Sequence, residues 1–259
     1  MTLNLKAAAL VLAMLATGPA YGAESAAFSL FTKGEYVAAA EAAAAEGSAT
    51  GFALAARATL ADASLRDMPC LECLQRAESF ARQAVAADSD NMEGHIHLAV
   101  ALGYQSRIIG PFRARFQRFP EQAKEAIEIA LRLAPDNHWA LSAAGGFNVE
   151  VVRSGGRFLG NLLYGASFED GVSYFHRAIA ADPKNPLIKL QYALALTSYA
   201  FDARRSEIVA VLDDCTRTPG DNLYEEAMRD RAARLLALLN QDKRQEFVVL
   251  ARRYQGFPD

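Results

Sequence analysis

Two cysteines three residues apart, Cys70 and Cys73, form the run CLEC directly after Pro69. If Pro69 opens a helix, both thiols sit at its N-terminus, where unpaired N–H groups favour the thiolate and lower the thiol pKa. Such a pair can shuttle between dithiol and disulfide. Two observations argue for a quieter use. No strand pattern precedes the pair, as redox CxxC motifs require, and no His follows Cys73, as covalent haem attachment requires. In an oxidising compartment the expected use is a structural disulfide, either local or long-range. Three cysteines leave one unpaired: Cys215 is that one, or it is the partner of Cys70 or Cys73. A thiol–disulfide oxidoreductase acting through Cys70 and Cys73 is the enzymatic alternative.

Two further stretches combine charge with aromatic surface. RIIGPFRARFQRFP, 107–120, interleaves Arg107, Arg113, Arg115 and Arg118 with Phe112, Phe116 and Phe119. Guanidinium groups beside aromatic faces suit an acidic or aromatic ligand, a peptide carboxylate, or an anionic membrane surface. SGGRFLGNLLYGASF, 154–168, sets Gly155, Gly156, Gly160 and Gly165 around Phe158, Leu162, Leu163 and Tyr164, with Arg153 and Arg157 beside them. Glycine permits dihedrals and close approaches that other residues resist, so this stretch reads as a flap over an apolar ligand. It is no phosphate loop, having neither a following Lys-Ser/Thr pair nor a preceding strand. For both stretches the bland alternative is a connector whose aromatic groups pack down and whose arginines are solvated. The binding set expected from the two is Arg107, Phe112, Arg113, Arg115, Phe116, Arg153, Arg157 and Tyr164.

Elsewhere the reactive side chains do not converge. His95 and His97 stand two apart on a helix and point to different faces, and neither HExxH nor GxSxG occurs. Glu150 and Arg153 can pair at i,i+3 on one helix. No carboxylate pair, and no nucleophile with a base, is placed to hold a reacting atom. The expectation is a non-enzymatic protein with no metal and no cofactor.

The elements that must position these stretches are helices. A phrase recurs three times: AVAADSDN at 84–91, ALRLAPDN at 130–137 and AIAADPKN at 178–185. Each copy ends an apolar helical stretch, turns on Ser or Pro with Asp and Asn, and feeds another helix. That is the joint between neighbouring helical hairpins. Around it the pattern predicts helices over 25–31, 34–47, 49–65, 69–87, 92–106, 121–134, 138–153, 169–181 and 186–201. Three more follow, near 204–215, 222–240 and 242–254, and strand signals are nearly absent. The stretches 107–120 and 154–168 interrupt their hairpins.

These hairpins resemble the tetratricopeptide repeat family. Its second helix carries a small residue, a bulky apolar one four later, an Ala three later and a Pro five later. Ala123, Ile127, Ala130 and Pro135 match, as do Gly171, Phe175, Ala178 and Pro183. Ala77, Ala81, Ala84 and Ser89 match without the bulky residue and the Pro, and Trp139 sits close to the first helix's usual Trp. The period departs: Asn91 to Asn137 is 46 residues and Asn137 to Asn185 is 48, against ~34 for the family. The surplus falls in the two interruptions, and such insertions map to one face, often the binding face. The resemblance implies an all-α solenoid with a repeat core over about 34–200 and a C-terminal helical cap over 204–254, whose Glu225 and Arg231 belong to a solvated face. An exported repeat protein with enlarged hairpins is also similar to the T-component of TRAP transporters, which implies an accessory role in periplasmic transport.

Residues 1–22 stand apart. Lys6 supplies a positive start, and AAALVLAMLA at 7–16 is an apolar run too short to span a bilayer. Ala20-Tyr21-Gly22 then puts small residues before a cleavage point after Gly22. This reads as a secretory signal peptide, leaving 23–259 as a single repeat domain in the periplasm or secreted. No other stretch reaches membrane-spanning length. A net charge of −3 and a pI near 5.9 argue against nucleic acid as a partner. The sequence thus points to an exported, non-catalytic scaffold with a groove edged by 107–120 and 154–168. Its partner is expected to be a protein or peptide, or a small apolar or anionic ligand.

Overall fold

The computed structural model describes residues 25–66 and 68–258; the expected signal peptide, 1–22, lies outside them. The described residues form helices α1 (Ala26–Thr32), α2 (Tyr36–Ala45), α3 (Ala49–Leu65), α4 (Leu71–Ala87), α5 (Met92–Ile109), α6 (Pro111–Phe116) and α7 (Phe119–Leu133). They continue as α8 (His138–Tyr164), α9 (Phe168–Ala181), α10 (Pro186–Ala200), α11 (Arg205–Arg217), α12 (Leu223–Asn240) and α13 (Arg244–Tyr254). No strand occurs among the described residues, and the helices pack in series as an all-α solenoid.

The recurring Asn is the reason the hairpins register. In each copy it is an N-cap, where a side-chain oxygen satisfies amide groups that the first helical turn leaves unpaired. Asn91 Oδ1 accepts from the Gly94 N–H at 2.7 Å. Asn137 Oδ1 accepts from Trp139 and Ala140, each at 3.0 Å. Asn185 Oδ1 accepts from Ile188 at 3.3 Å. The helices so capped, α5, α8 and α10, form with α3 and α12 an inner row in which each member touches the next. Helices α4, α7, α9 and α11 pack on them from outside.

Small residues set the depth of that packing. Ala77, Ala81, Ala84, Ala130 and Ala178 are all buried. At the α8–α9 joint, a Cβ added to Gly145 would lie 2.7 Å from the Phe175 ring, and one added to Gly171 would lie 2.8 Å from Val149. The two glycines therefore let the helices close on Phe175, which is buried.

Both interruptions prove to be helical, longer helices rather than elaborated loops. Helix α5 runs three residues beyond 106, Gly110 breaks it, and α6 follows at once. In α8 the chain continues as helix to Tyr164 with a single break at Gly156. The two breaks share one backbone conformation, φ 84°, ψ 159° at Gly110 and φ 80°, ψ 161° at Gly156. That region is essentially open to glycine alone. They lie 46 residues apart, the spacing of Asn91 and Asn137, so the insertion itself repeats.

The cap is also different from expectation. Instead of presenting a solvated end, the C-terminal helices return to the start of the array. Tyr224 stands 6.1 Å from the Tyr36 ring and hydrogen-bonds Ser64 through its hydroxyl at 3.0 Å. Arg231 donates to the Ser64 carbonyl at 2.8 Å. Glu225 is buried, its carboxylate accepting the Asp221 N–H at 2.9 Å. The C-terminal helices thereby cover part of the concave side of the array.

Candidate functional site

The inner row and α7 line a cavity of about 550 Å³, within the range of small-molecule sites. Most of its wall is apolar, with Leu60, Ile96, Val100, Ala123, Ile127 and Phe147 contributing. These residues recur on the inward faces of α3, α5, α7 and α8, the same faces that build the core. Polar groups also enter, among them Glu93, Glu225, Gln191 and Arg252, and two sets of them stand out by their contacts.

The first set is Arg57 on α3, His97 on α5 and Trp139 on α8, all lining the cavity. Arg57 is half-buried, its guanidinium 4.7 Å from the Phe31 ring and 5.9 Å from the Trp139 ring. Among the described residues no carboxylate lies within ion-pair distance of it. Its close partners are thus aromatic faces, weaker than an oxyanion, with Glu93 and Glu225 elsewhere on the same wall. His97 Nε2 is buried without a hydrogen-bond partner. Burial and the positive charge of Arg57 push the His97 pKa down to about 3, so the ring is neutral at neutral pH. An orphaned polar atom costs stability unless something supplies its hydrogen bond. His95, two residues away, turns elsewhere and bonds the Ser89 carbonyl at 2.9 Å.

The second set closes the far end. Glu150 accepts from Arg107 Nε at 3.4 Å and from Arg153 Nη2 at 2.5 Å. Burial works to raise the Glu150 pKa; the two arginines more than offset it and hold the carboxyl below its usual range. Arg107 also donates to the Gln255 carbonyl at 2.9 Å. The guanidiniums of Arg107 and Arg153 lie 5.6 and 4.7 Å from the Phe257 ring. Phe257 is buried, so the C-terminal residues plug this end of the array.

Of the eight residues expected to bind, only Arg107 and Arg153 line the cavity, and both are engaged by Glu150. Phe112, Arg113, Arg115, Phe116 and Arg157 are exposed on the outer edge. Tyr164 is half-buried there, its hydroxyl donating to Glu121 at 3.0 Å and accepting from Arg115 at 2.5 Å. Arg57, His97 and Trp139 escaped sequence reasoning because each sits at core spacing on its helix. The one available signal was an Arg inside the apolar run ATGFALAARATLADASL.

Cys70 and Cys73 form a disulfide at the start of α4. Cys70 is the N-cap, its Sγ accepting the Cys73 N–H at 3.1 Å, so Pro69 stands just outside the helix. Cys215 is a correction to the long-range pairing: it is a free, buried thiol whose Sγ donates to the Pro186 carbonyl at 3.2 Å. No group of His, Cys, Asp and Glu able to hold a metal occurs among the described residues. Among them no helix is long and apolar enough to cross a membrane.

No curated protein matches this chain. A family model does, over residues 51–240, and it is neither the tetratricopeptide repeat nor the TRAP T-component. Both resemblances are thereby corrected. The small–bulky–Ala spacing at Ala123, Ile127, Ala130 and at Gly171, Phe175, Ala178 records how closely paired helices pack, a demand that any hairpin array shares. Most of the chain is spanned by the model for Regulator of microtubule dynamics protein 1-3, and the chain belongs to that family.

Proposed function

We propose that this protein is a non-catalytic binding protein that holds a small apolar molecule bearing an anionic group within its inner row of helices. The observation that carries this reading is the Arg57 guanidinium, without an ion-pair partner among the described residues, beside His97 and Trp139 in a cavity whose wall is mostly apolar and also carries Glu93 and Glu225. A carboxylate or phosphate oxygen pair would give Arg57 a bidentate partner. His97 Nε2 would gain the hydrogen bond it lacks, and the apolar body would lie along Leu60, Ile96 and Val100. The family's name speaks of microtubule dynamics; the interior of the array favours ligand holding over contact with a polymer. We place the function outside the cytoplasm, supported by the leader-like segment 1–22 and by a disulfide suited to an oxidising compartment.

The test uses Trp139, the one tryptophan of the chain. Titration with dansylundecanoate should give saturable energy transfer from Trp139 to the dansyl group. Loss of a charge-assisted contact of ~1.5–3 kcal/mol predicts that Arg57→Gln weakens binding by at least about tenfold. The methyl ester of the probe should bind wild type about as weakly. Transfer indifferent to both changes refutes the role of Arg57, and absence of saturable transfer refutes the cavity as a site.

A further inference from the structure

The outer edge carries a surface that the cavity does not use. Phe112 and Phe116 on α6 are 86% and 85% exposed, and Phe158 and Leu162, after the α8 break, are 76% and 66% exposed. Leu159 and Leu163 stand beside them, also exposed. Soluble surfaces seldom gather so many large apolar groups in one place. The two segments adjoin, since Arg115 of α6 hydrogen-bonds Tyr164 at the end of α8.

This surface is a built feature. With the Gly110 and Gly156 breaks aligned, Phe112 corresponds to Phe158 and Phe116 to Leu162, all outward, while Ala114 corresponds to Gly160, both buried. Gly160 rests on its own helix: a Cβ there would lie 3.2 Å from Val152. Each segment is thus pinned by one small buried residue and raises two large apolar side chains away from the body. Within the two segments the charge has a single sign, and Glu121 just beyond the first pairs with Arg115 at 3.7 Å. No Asp or Glu occurs in 107–120 or 153–168, and the arginines that turn outward are Arg113, Arg115, Arg118 and Arg157. Among the described residues the side chains of Arg113, Arg118 and Arg157 have no ion-pair partner.

We propose that this edge docks on an anionic lipid bilayer, the phenylalanines and leucines entering the headgroup–acyl boundary and the arginines meeting lipid phosphates. Apolar side chains raised on an exposed edge, with the unpaired cations Arg113, Arg118 and Arg157 around them, fit a soft anionic interface. This inference is independent of the ligand reading, because the residues that carry it do not line the cavity.

Flotation with vesicles of phosphatidylglycerol and phosphatidylcholine tests it, with sedimentation equilibrium on the same proteins. The full mature chain should float with anionic vesicles, weakly with phosphatidylcholine alone, and less at high salt, where charge is screened. Each outward arginine should contribute about fivefold, so Arg113→Gln with Arg157→Gln should weaken binding by more than about tenfold. Phe112→Ser with Phe158→Ser should weaken it at least as much; both positions are exposed, so the fold is undisturbed. Binding that ignores lipid charge, or that survives the phenylalanine changes, overturns the proposal. A dimer that those changes dissolve, without flotation, overturns it in favour of a second copy. A monomer that never floats overturns it in favour of a protein partner.

Discussion

Replacing His97 with Gln tests the electrostatics of the cavity through the stability of the fold. Gln has similar bulk and stays neutral at every pH. In the folded chain His97 is held near pKa 3, first by burial and then by the charge of Arg57, against about 6.5 when the ring is exposed. Between those values the unfolded chain binds a proton that the folded chain refuses. Stability therefore falls as pH drops below about 6.5, and the loss grows until pH approaches the folded value. At 1.36 kcal/mol per pH unit, His97 should cost the wild type about 2 kcal/mol between pH 7 and pH 5. This figure hardly depends on how far below 4 the folded value lies, because the folded ring is already neutral at pH 5. The assay is urea unfolding of both proteins at the two pH values. Carboxylates and the other histidines titrate alike in each and cancel in the difference. His97→Gln should gain about 2 kcal/mol relative to wild type on going from pH 7 to pH 5. An unchanged gap would mean that His97 protonates freely in the folded chain and is not sealed beside Arg57.

Three further outcomes follow from the packing. Gly156→Ala forces a non-glycine residue into a conformation that costs ~1–3 kcal/mol, and urea unfolding should show that loss. Gly155→Ala, in helical conformation with open space around its Cβ position, should be neutral or slightly stabilising. Gly145→Ala should destabilise by ~1–3 kcal/mol through overpacking on Phe175, whereas Phe175→Ala should cost ~3–5 kcal/mol by leaving a void. Equal, negligible effects would mean that α8 and α9 are less tightly joined than described. Without reductant, Ellman's reagent should find one thiol per chain, reactive only after denaturation, since burial pushes the Cys215 thiol up to about 12. Three titratable thiols, or a rapid reaction in the native protein, would contradict the Cys70–Cys73 pairing or the burial of Cys215.

Legibility in the sequence followed locality. Hairpin joints were readable because Asn91, Asn137 and Asn185 act within one turn of themselves, capping the helix they begin. Helix boundaries in the C-terminal third came within about two residues for the same reason. The insertions were located by measuring between those caps, but the sequence did not decide between loops and longer helices. Their helical state depends on Gly110 and Gly156, whose backbone conformation the residue type permits without announcing. The equal spacing of the two glycines was a usable signal. Closure of the array was not readable. It depends on Tyr224 meeting Tyr36 and on Phe257 meeting Arg107 and Arg153, contacts between residues far apart in the chain. The edge of the expected groove, not its interior, was therefore named as the site. Arg57, His97 and Trp139 occupy positions of the core pattern, and only their convergence in space distinguishes them.

The most direct measurement is a crystal structure of residues 23–259 grown with 12-bromododecanoate, the anomalous signal of bromine fixing the tail. The account predicts bromine inside the cavity among Leu60, Ile96, Val100 and Ile127, with the carboxylate about 2.8 Å from the Arg57 guanidinium and an oxygen within hydrogen-bond range of His97 Nε2. Bromine confined to the Phe112–Phe158 edge, or a cavity filled only by rearranged side chains while the edge stays bare, would contradict it.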